Sequence, residues 1–413
     1  MSESAILLDV TRLVARSWTR RLPTGIDRVC YAYLRRFAAR AYAVIQHRGI
    51  VRVLDRRNSD ALFQLLGDEG EGSRGRLAFL ALRSLLKPGL PRLCHGGIYL
   101  NVGHTDFDLK SHAKWVRGAD LRPVYMVHDL IPITHAHHCR EHAVRRHTGR
   151  VIGALRNACG VIVSTGAVAD DLEAFAQKNA LPVPPMVVAS LAGERMYPKP
   201  RASTEGRPYF LCVGTIESRK NHALLVNIWR RLIERNGAQS PRLLIVGQWG
   251  VGSQRLRDML ISSPQLHGHV TVLDRCGDEE MGRLVKGARA LLMPTLCEGF
   301  GLPMVEAIQL GTPVIATDLP CFREIGQGIP TLLPPSDEAA WEALIEHFGP
   351  EHPEHIRQLD RARQFRPTSW NDHFFKIEDW LPTLSERKHP LPERANHSDR
   401  LPMSANLPFL SIE

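Results

Sequence analysis

From Tyr209 onward the chain alternates short apolar runs with segments of helical periodicity, and few folds accommodate that pattern. The runs are Tyr209–Val213, Leu243–Val246, Val270–Leu273, Ala290–Met293 and Pro313–Ala316. Between them, residues 220–236, 253–262, 278–288 and 302–310 carry apolar side chains three or four positions apart, as in Leu224, Leu225, Ile228 and Leu232. Strand, helix, strand, helix at this spacing predicts βαβ units and a doubly wound parallel sheet. The segment 201–368 is long enough to be a complete domain of this kind.

Residues 1–200 show the alternation less regularly. Strands are predicted at Ala5–Leu8, Ala43–Gln46, Ile98–Val102, Val124–Val127 and Gly160–Ser164, with helical stretches such as Val29–Arg40 between them, which makes 1–200 a second α/β domain. Residues 181–200 contain five prolines (182, 184, 185, 198 and 200). That density disfavours helix and reads as a stiff linker or hinge. A last helix is expected within 369–382, free to pack back on the first domain, and 383–413 read as a disordered tail. Two doubly wound domains in tandem turn the carboxyl ends of their strands toward one crevice, where ligands bind.

Composition narrows the function classes. Of 413 residues, 44% are apolar and 23% charged, which excludes a collagenous or wholly disordered chain. The net charge of +10 is unevenly placed: residues 1–200 hold 29 basic and 17 acidic side chains, residues 201–413 hold 24 and 26. A uniformly basic nucleic-acid coat does not fit that asymmetry. The best apolar run, Leu77–Leu86, is interrupted by Arg83 and falls short of the roughly 18–20 residues that span a bilayer. With Arg74, Arg76, Arg83 and Lys87 it reads equally as a basic amphipathic docking helix or a solvated surface helix. The N-terminus offers only Ala5–Leu8 as an apolar stretch before Asp9, so a cytoplasmic location is expected, with peripheral contact at the inner face of the membrane through the basic half. Eight cysteines with no C-x-x-C pair suit reduced thiols in the core.

The segment Pro294-Thr295-Leu296-Cys297-Glu298-Gly299-Phe300-Gly301-Leu302-Pro303-Met304-Val305-Glu306-Ala307 follows a buried strand and opens a helix. Pro303 suits a first helical turn, and Gly311 marks the stop. Gly299 and Gly301 keep side chains away, so the free N–H groups at Phe300 to Leu302 can meet an anion such as a diphosphate. Glu298 lies before the helix and Glu306 about one turn within it. Carboxylates suit hydroxyl-rich ligands because each accepts several O–H hydrogen bonds. Spacing alone leaves the pair readable as an ordinary cap and a solvated helix residue.

The string E-G-F-G-L-P-M-V-E resembles the E-x7-E signature of retaining glycosyltransferases of family 4, which have the GT-B fold: two Rossmann-like domains facing a central crevice. The resemblance implies that Glu298 holds the donor sugar's hydroxyls and Glu306 the nucleotide ribose. Cys212-Val213-Gly214-Thr215-Ile216-Glu217-Ser218-Arg219-Lys220-Asn221 is similar to the family's V-G-x-x-x-P-R-K-N stretch, implying that Arg219 and Lys220 hold the diphosphate; Ser218 and Thr215 depart from the common pattern. Val246-Gly247-Gln248-Trp249-Gly250 and Leu273-Asp274-Arg275-Cys276 stand where the family folds its base-binding loops, with Asp274 in place of the usual glycine.

In the first half, Val124-Tyr125-Met126-Val127-His128-Asp129-Leu130-Ile131-Pro132 is an apolar strand ending in His-Asp. On its own this also reads as a core histidine beside a helix-capping aspartate. It resembles the H-D-x-x-P segment of family 4 mannosyltransferases, implying that His128 contacts the donor sugar near the reacting centre. Thr24-Gly25-Ile26-Asp27-Arg28 resembles the family's glycine loop beside the phosphates and acceptor, with the usual double glycine reduced to Gly25.

Asp106-Phe107-Asp108 spells the metal-binding D-x-D of GT-A enzymes, a short match out of keeping with the rest of the chain, so no metal and no other cofactor is expected. His135, His137, His138, His142 and His147 lack the spacing of a tetrahedral metal set and read as a solvated polar segment. The expected function is retaining transfer of a hexose, mannose from GDP-mannose first, from a nucleotide sugar to a saccharide or lipid-linked acceptor in polysaccharide, O-antigen or exopolysaccharide synthesis. Alternatives are a UDP- or GDP-glucose-type transferase and a GT-B-like nucleotide-sugar epimerase. A nicotinamide-dependent oxidoreductase is disfavoured by the glycine arrangement at Gly247–Gly252. A basic nucleic-acid-binding protein lacks a reading motif, so no nucleic-acid partner is expected.

Overall fold

The computed structural model describes residues 5–19, 24–47, 49–67, 94–194, 196 and 208–384. The first half forms a seven-stranded sheet in the order β3-β2-β1-β4-β5-β6-β7. Its strands are β1 (Ile6–Asp9), β2 (Ala41–His47), β3 (Ile50–Val53), β4 (Ile98–Asn101), β5 (Arg122–Val127), β6 (Gly160–Val163) and β7 (Met186–Val188). All neighbours are parallel except the β2–β3 hairpin. The second half forms an all-parallel six-stranded sheet, β10-β9-β8-β11-β12-β13. These are β8 (Tyr209–Val213), β9 (Arg242–Val246), β10 (Val270–Leu273), β11 (Leu291–Met293), β12 (Val314–Thr317) and β13 (Thr331–Leu333). The strands β1, β4, β6, β11 and β12 are buried at every residue, as expected when helices cover both faces of a parallel sheet.

In each sheet the chain order reverses between two central strands, β1 and β4 in the first and β8 and β11 in the second. Crevices open at the carboxyl ends of strands at such points. The largest buried apolar cluster runs across the two halves, joining Leu8, Val102 and Leu191 to Met304, Val305 and Phe322.

The helix Trp370–Trp380 begins with a capping box between Ser369 and Asp372 and lies against the first domain. The Phe374 ring meets Tyr33 edge-on at 5.1 Å and Phe37 at 5.7 Å. His373 bonds the Tyr33 hydroxyl at 3.1 Å, and Glu378 pairs with Arg36 and Arg40. An added Cβ at Gly160 would stand 2.4 Å from Trp380, so that glycine keeps room for the helix.

Three strands escape the sequence pattern. Of these, β3 has an exposed residue at one end, Ile50, and β13 is only three residues long. The third, β7, corrects the reading of 181–200 as linker throughout. Pro184 and Pro185 precede its first paired residue, the Pro185 carbonyl accepts from Val161 N–H, and Met186, Val187 and Val188 pair with Val161, Ile162 and Val163. Prolines entering an edge strand remove no ladder donor. At the other end, Leu384 is buried and Leu381–Thr383 form a 3-10 turn, so the ordered chain extends past 382. Residues 385–413 and the basic run Leu77–Leu86 lie outside the described residues. Among the described residues no helix is long and apolar enough to cross a membrane.

Phe374 is 3% exposed, and Phe374→Ala should lower stability by about 3–5 kcal/mol, read as a drop in the urea midpoint.

Candidate active site

The loop after β11 is shaped by two glycines. A Cβ on Gly299 would stand 2.4 Å from the His128 carbonyl oxygen and 2.9 Å from the Asp129 Cβ, so only hydrogen fits. Gly301 has φ 107°, and a Cβ there would meet Phe322 at 2.6 Å. The Gly299 carbonyl accepts from Thr165 Oγ1 at 3.1 Å and Ser164 Oγ at 3.5 Å, both from the first domain. Phe300 is buried, and Leu302 starts an eight-residue helix, Leu302–Gln309, with Pro303 in its first turn.

The loop after β8 is tied to the loop after β11. Leu296 N–H donates to the Arg219 carbonyl at 2.8 Å, and Arg219 Nη1 donates to the Cys297 carbonyl at 3.0 Å. Glu298 Oε2 then accepts from Lys220 Nζ at 2.5 Å and Arg219 Nη1 at 3.3 Å, while Arg219 Nη2 pairs with Glu217 at 2.7 Å. Burial pushes the Glu298 carboxyl up, but the Lys220 and Arg219 cations outweigh it and hold the group below the usual carboxylate range. The two expected diphosphate cations therefore sit on the expected sugar carboxylate.

Glu306 faces a different partner. It is 7% exposed, and its Oε1 accepts from Arg28 Nη1 at 2.8 Å and from the Glu194 N–H at 3.3 Å. Burial raises its carboxyl to about 6, against the opposing pull of Arg28. Gly25 opens the helix Gly25–Phe37, and a Cβ there would lie 3.6 Å from the Leu302 side chain, so two helix N-termini meet at the crevice. Both direct partial positive charge toward it.

His128 ends β5 as a buried side chain whose Nε2–H donates to the Val102 carbonyl at 2.8 Å. Burial pushes its imidazole down to about 4, with the Val102 carbonyl and Asp129 working the other way. At neutral pH it is uncharged, and Nδ1 carries the lone pair. His104 lies 4.9 Å away ring to ring and accepts the His128 N–H at 3.4 Å. Asp129 Oδ1 accepts from Ile131 N–H at 3.1 Å, at the start of the following short helix.

The structure corrects the reading of the histidine-rich stretch as solvated. His147 is buried and bonds the Asp129 carbonyl, and His138 Nδ1 meets Ser218 Oγ at 2.9 Å across the crevice; His137 and His142 are exposed. Asp106 and Asp108 of the D-x-D string pair with Arg146 and Arg150. Among the described residues no group of three or more His, Cys, Asp or Glu side chains is placed to hold a metal. All eight cysteines are free, and six are buried. Sequence reasoning missed Arg28, Ser164, Thr165 and Glu324, whose carboxylate accepts from Gly166 N–H at 2.9 Å. The Thr24-x-x-Asp27 capping pattern was the available signal for Arg28.

Residues 207–348 match the family model described as "Glycosyl transferases group 1". This segment is a group 1 glycosyltransferase domain. The chain is 27% identical over 315 residues to the serotype-specific mannosyltransferase WbdA of Escherichia coli, covering 71% of this chain and 34% of that protein. It is 32% identical over 147 residues to the O-antigen chain mannosyltransferase RfbU of Salmonella typhimurium, covering 35% of this chain and 39% of that one. The chain thus spans about a third of the length of the WbdA relative. Anabaena HepE in complex with UDP and glucose superposes over 92% of this chain and 100% of its own, with TM-score 0.62 at 16% identity. The fold is GT-B, and Glu298, Glu306, Arg219 and Lys220 all lie within the segment that the family model matches.

Glu306 carries a testable pH signature. Its proton is held in the folded state up to about pH 6 and lost near 4.5 in the unfolded chain, so stability falls as pH rises through that window. Glu306→Gln should remove a decline of about 2 kcal/mol. The buried histidines pull the other way as pH falls, so the difference between wild type and E306Q, from urea unfolding at pH 4.5 and 7, isolates the carboxyl.

Proposed function

We propose that this chain is a retaining glycosyltransferase that moves a hexose from a nucleotide sugar to a hydroxyl of a saccharide or lipid-linked acceptor in polysaccharide synthesis. The observation that carries the reading is Glu298 standing against Lys220 and Arg219 at the mouth of the helix Leu302–Gln309, within a group 1 glycosyltransferase domain. Mannose is the sugar favoured by the similarity to WbdA and RfbU, and GDP-mannose the donor tested first.

Arrival of a donor diphosphate would offer Lys220 and Arg219 a more highly charged partner than Glu298. The carboxylate, released from the cations, would then accept hydrogen bonds from sugar hydroxyls. The bond from the anomeric carbon to the diphosphate breaks, and charge collects on the departing phosphate. Lys220, Arg219 and the N–H groups at Phe300 to Leu302 stabilise that charge in a site prepared before reaction. The acceptor oxygen forms its bond on the same face, and its proton passes to the leaving phosphate. His128, neutral and presenting Nδ1, acts as a hydrogen-bond acceptor toward the sugar. No metal is assigned to the step, and contact of the basic half with an anionic membrane belongs to the same proposal as the route to lipid-linked acceptors.

The test is a donor screen. GDP-mannose at about 100 times its Kd should stabilise the protein by about 2.7 kcal/mol, more than UDP-glucose or GDP-glucose at the same concentration. Glu298→Gln should keep the fold and reduce transfer by about 10²–10³-fold. Full transfer in that variant sinks the assignment, and epimer formation without acceptor would replace it by the epimerase reading.

A further inference from the structure

Arg28 occupies the fourth position of the helix Gly25–Phe37, on a turn held from several sides. Asp27 N–H to Thr24 and Thr24 N–H to Asp27 close a capping box, the second bond at 2.7 Å. The Asp27 carboxylate, fully buried, also takes Arg12 at 2.5 Å and Arg16 at 3.1 Å. The point at which Arg28 leaves the first domain is therefore fixed, and its guanidinium crosses the crevice to Glu306.

Both donors to Glu306, Arg28 Nη1 and the Glu194 N–H, end on the same oxygen, Oε1. No described residue donates to Oε2. The other charged groups facing this carboxyl are Glu194, on the segment after β7, and Asp278, at the start of the helix Asp278–Gly287, whose Oδ1 lies 4.0 Å from Arg28 Nη2. Arg28 is thus the one cation among the described groups acting on Glu306, and it comes from the opposite domain.

We propose that Arg28 is a positioning residue for donor recognition: by holding Oε1 it keeps the Glu306 carboxylate charged and turned so that Oε2 accepts the vicinal hydroxyls of a nucleotide ribose. This rests on the reading of Glu306 as the ribose ligand. It makes nucleoside binding in the second domain depend on closure against the first, because the orienting charge is supplied only when the domains meet. Without Arg28, burial, Glu194 and Asp278 all favour the protonated carboxyl, a weaker acceptor for two hydroxyls. The diphosphate contacts at Arg219 and Lys220 are untouched, so the defect is confined to the ribose.

The experiment is calorimetric titration of the full chain with GDP, with UDP, and with the 2′,3′-dideoxy form of whichever binds, from pH 5.5 to 8. Wild type, Arg28→Ala and Arg28→Lys are compared, with thermal midpoints as the check on folding. Arg28→Ala should weaken the ribonucleotide at pH 7 by at least about tenfold, the order expected for losing a charge-assisted hydrogen bond. Its pH midpoint for binding should move up by about one unit, and Arg28→Lys should restore most of that midpoint. The dideoxy nucleotide should bind wild type and Arg28→Ala alike. An unchanged midpoint in both variants, or equal weakening of the dideoxy form, overturns the inference and leaves Arg28 a structural contact, with the glycosyltransferase reading intact. If wild type binds neither GDP nor UDP, the ribose assignment and the transferase reading fall together with it.

Discussion

The arrangement of the site depends on the close approach of the Gly299 backbone to the first domain. With 2.4 Å between a would-be Cβ and the His128 carbonyl oxygen, no larger residue leaves the seam as it is. The same peptide unit is bound through its carbonyl by Thr165 and Ser164. Because Gly299 lies between Glu298 and the start of the helix Leu302–Gln309, this one contact sets the position of the carboxylate, of the free N–H groups and of His128 relative to one another. The apolar cluster that continues from Leu8 and Val102 to Met304 and Val305 supports the seam from behind.

Three crevice carboxylates are paired with cations before any ligand arrives. Glu298 and Glu217 oppose Arg219 and Lys220, and Glu306 opposes Arg28. Partly buried ions left unpaired would be expensive, so each carboxylate here has a cation in contact. An entering diphosphate or diol then exchanges partners within the set, which costs less than uncovering an isolated charge. The neutral, buried His128 adds a polar atom without adding to that pairing.

Several arginines of the basic first half are engaged in internal pairing. Arg12 and Arg16 serve Asp27, Arg146 and Arg150 serve Asp106 and Asp108, and Arg28 serves Glu306. The D-x-D string and the neighbouring arginines thus form a largely covered ion-pair group after β4.

Continuous apolar runs marked the central strands of both sheets, and the 3.6-residue period marked the helices between the strands of the second, because burial on two faces leaves an apolar run that local sequence displays directly. The resemblance to family 4 motifs singled out Glu298, Glu306, Arg219, Lys220 and His128, on the loops and the helix that follow strands, where a doubly wound sheet opens its crevice. The short edge strands β3, β7 and β13 were not legible, since an edge strand is recruited by its neighbour's unpaired backbone rather than by its own composition. Nor were the partners of the site residues. Which cation faces Glu306, which hydroxyls hold Gly299 and how deep His147 lies are contacts between residues 18 to 278 positions apart in the chain. Sequence determined the type of group at each strand end; only tertiary packing, by bringing two domains within hydrogen-bonding distance, decided which groups meet.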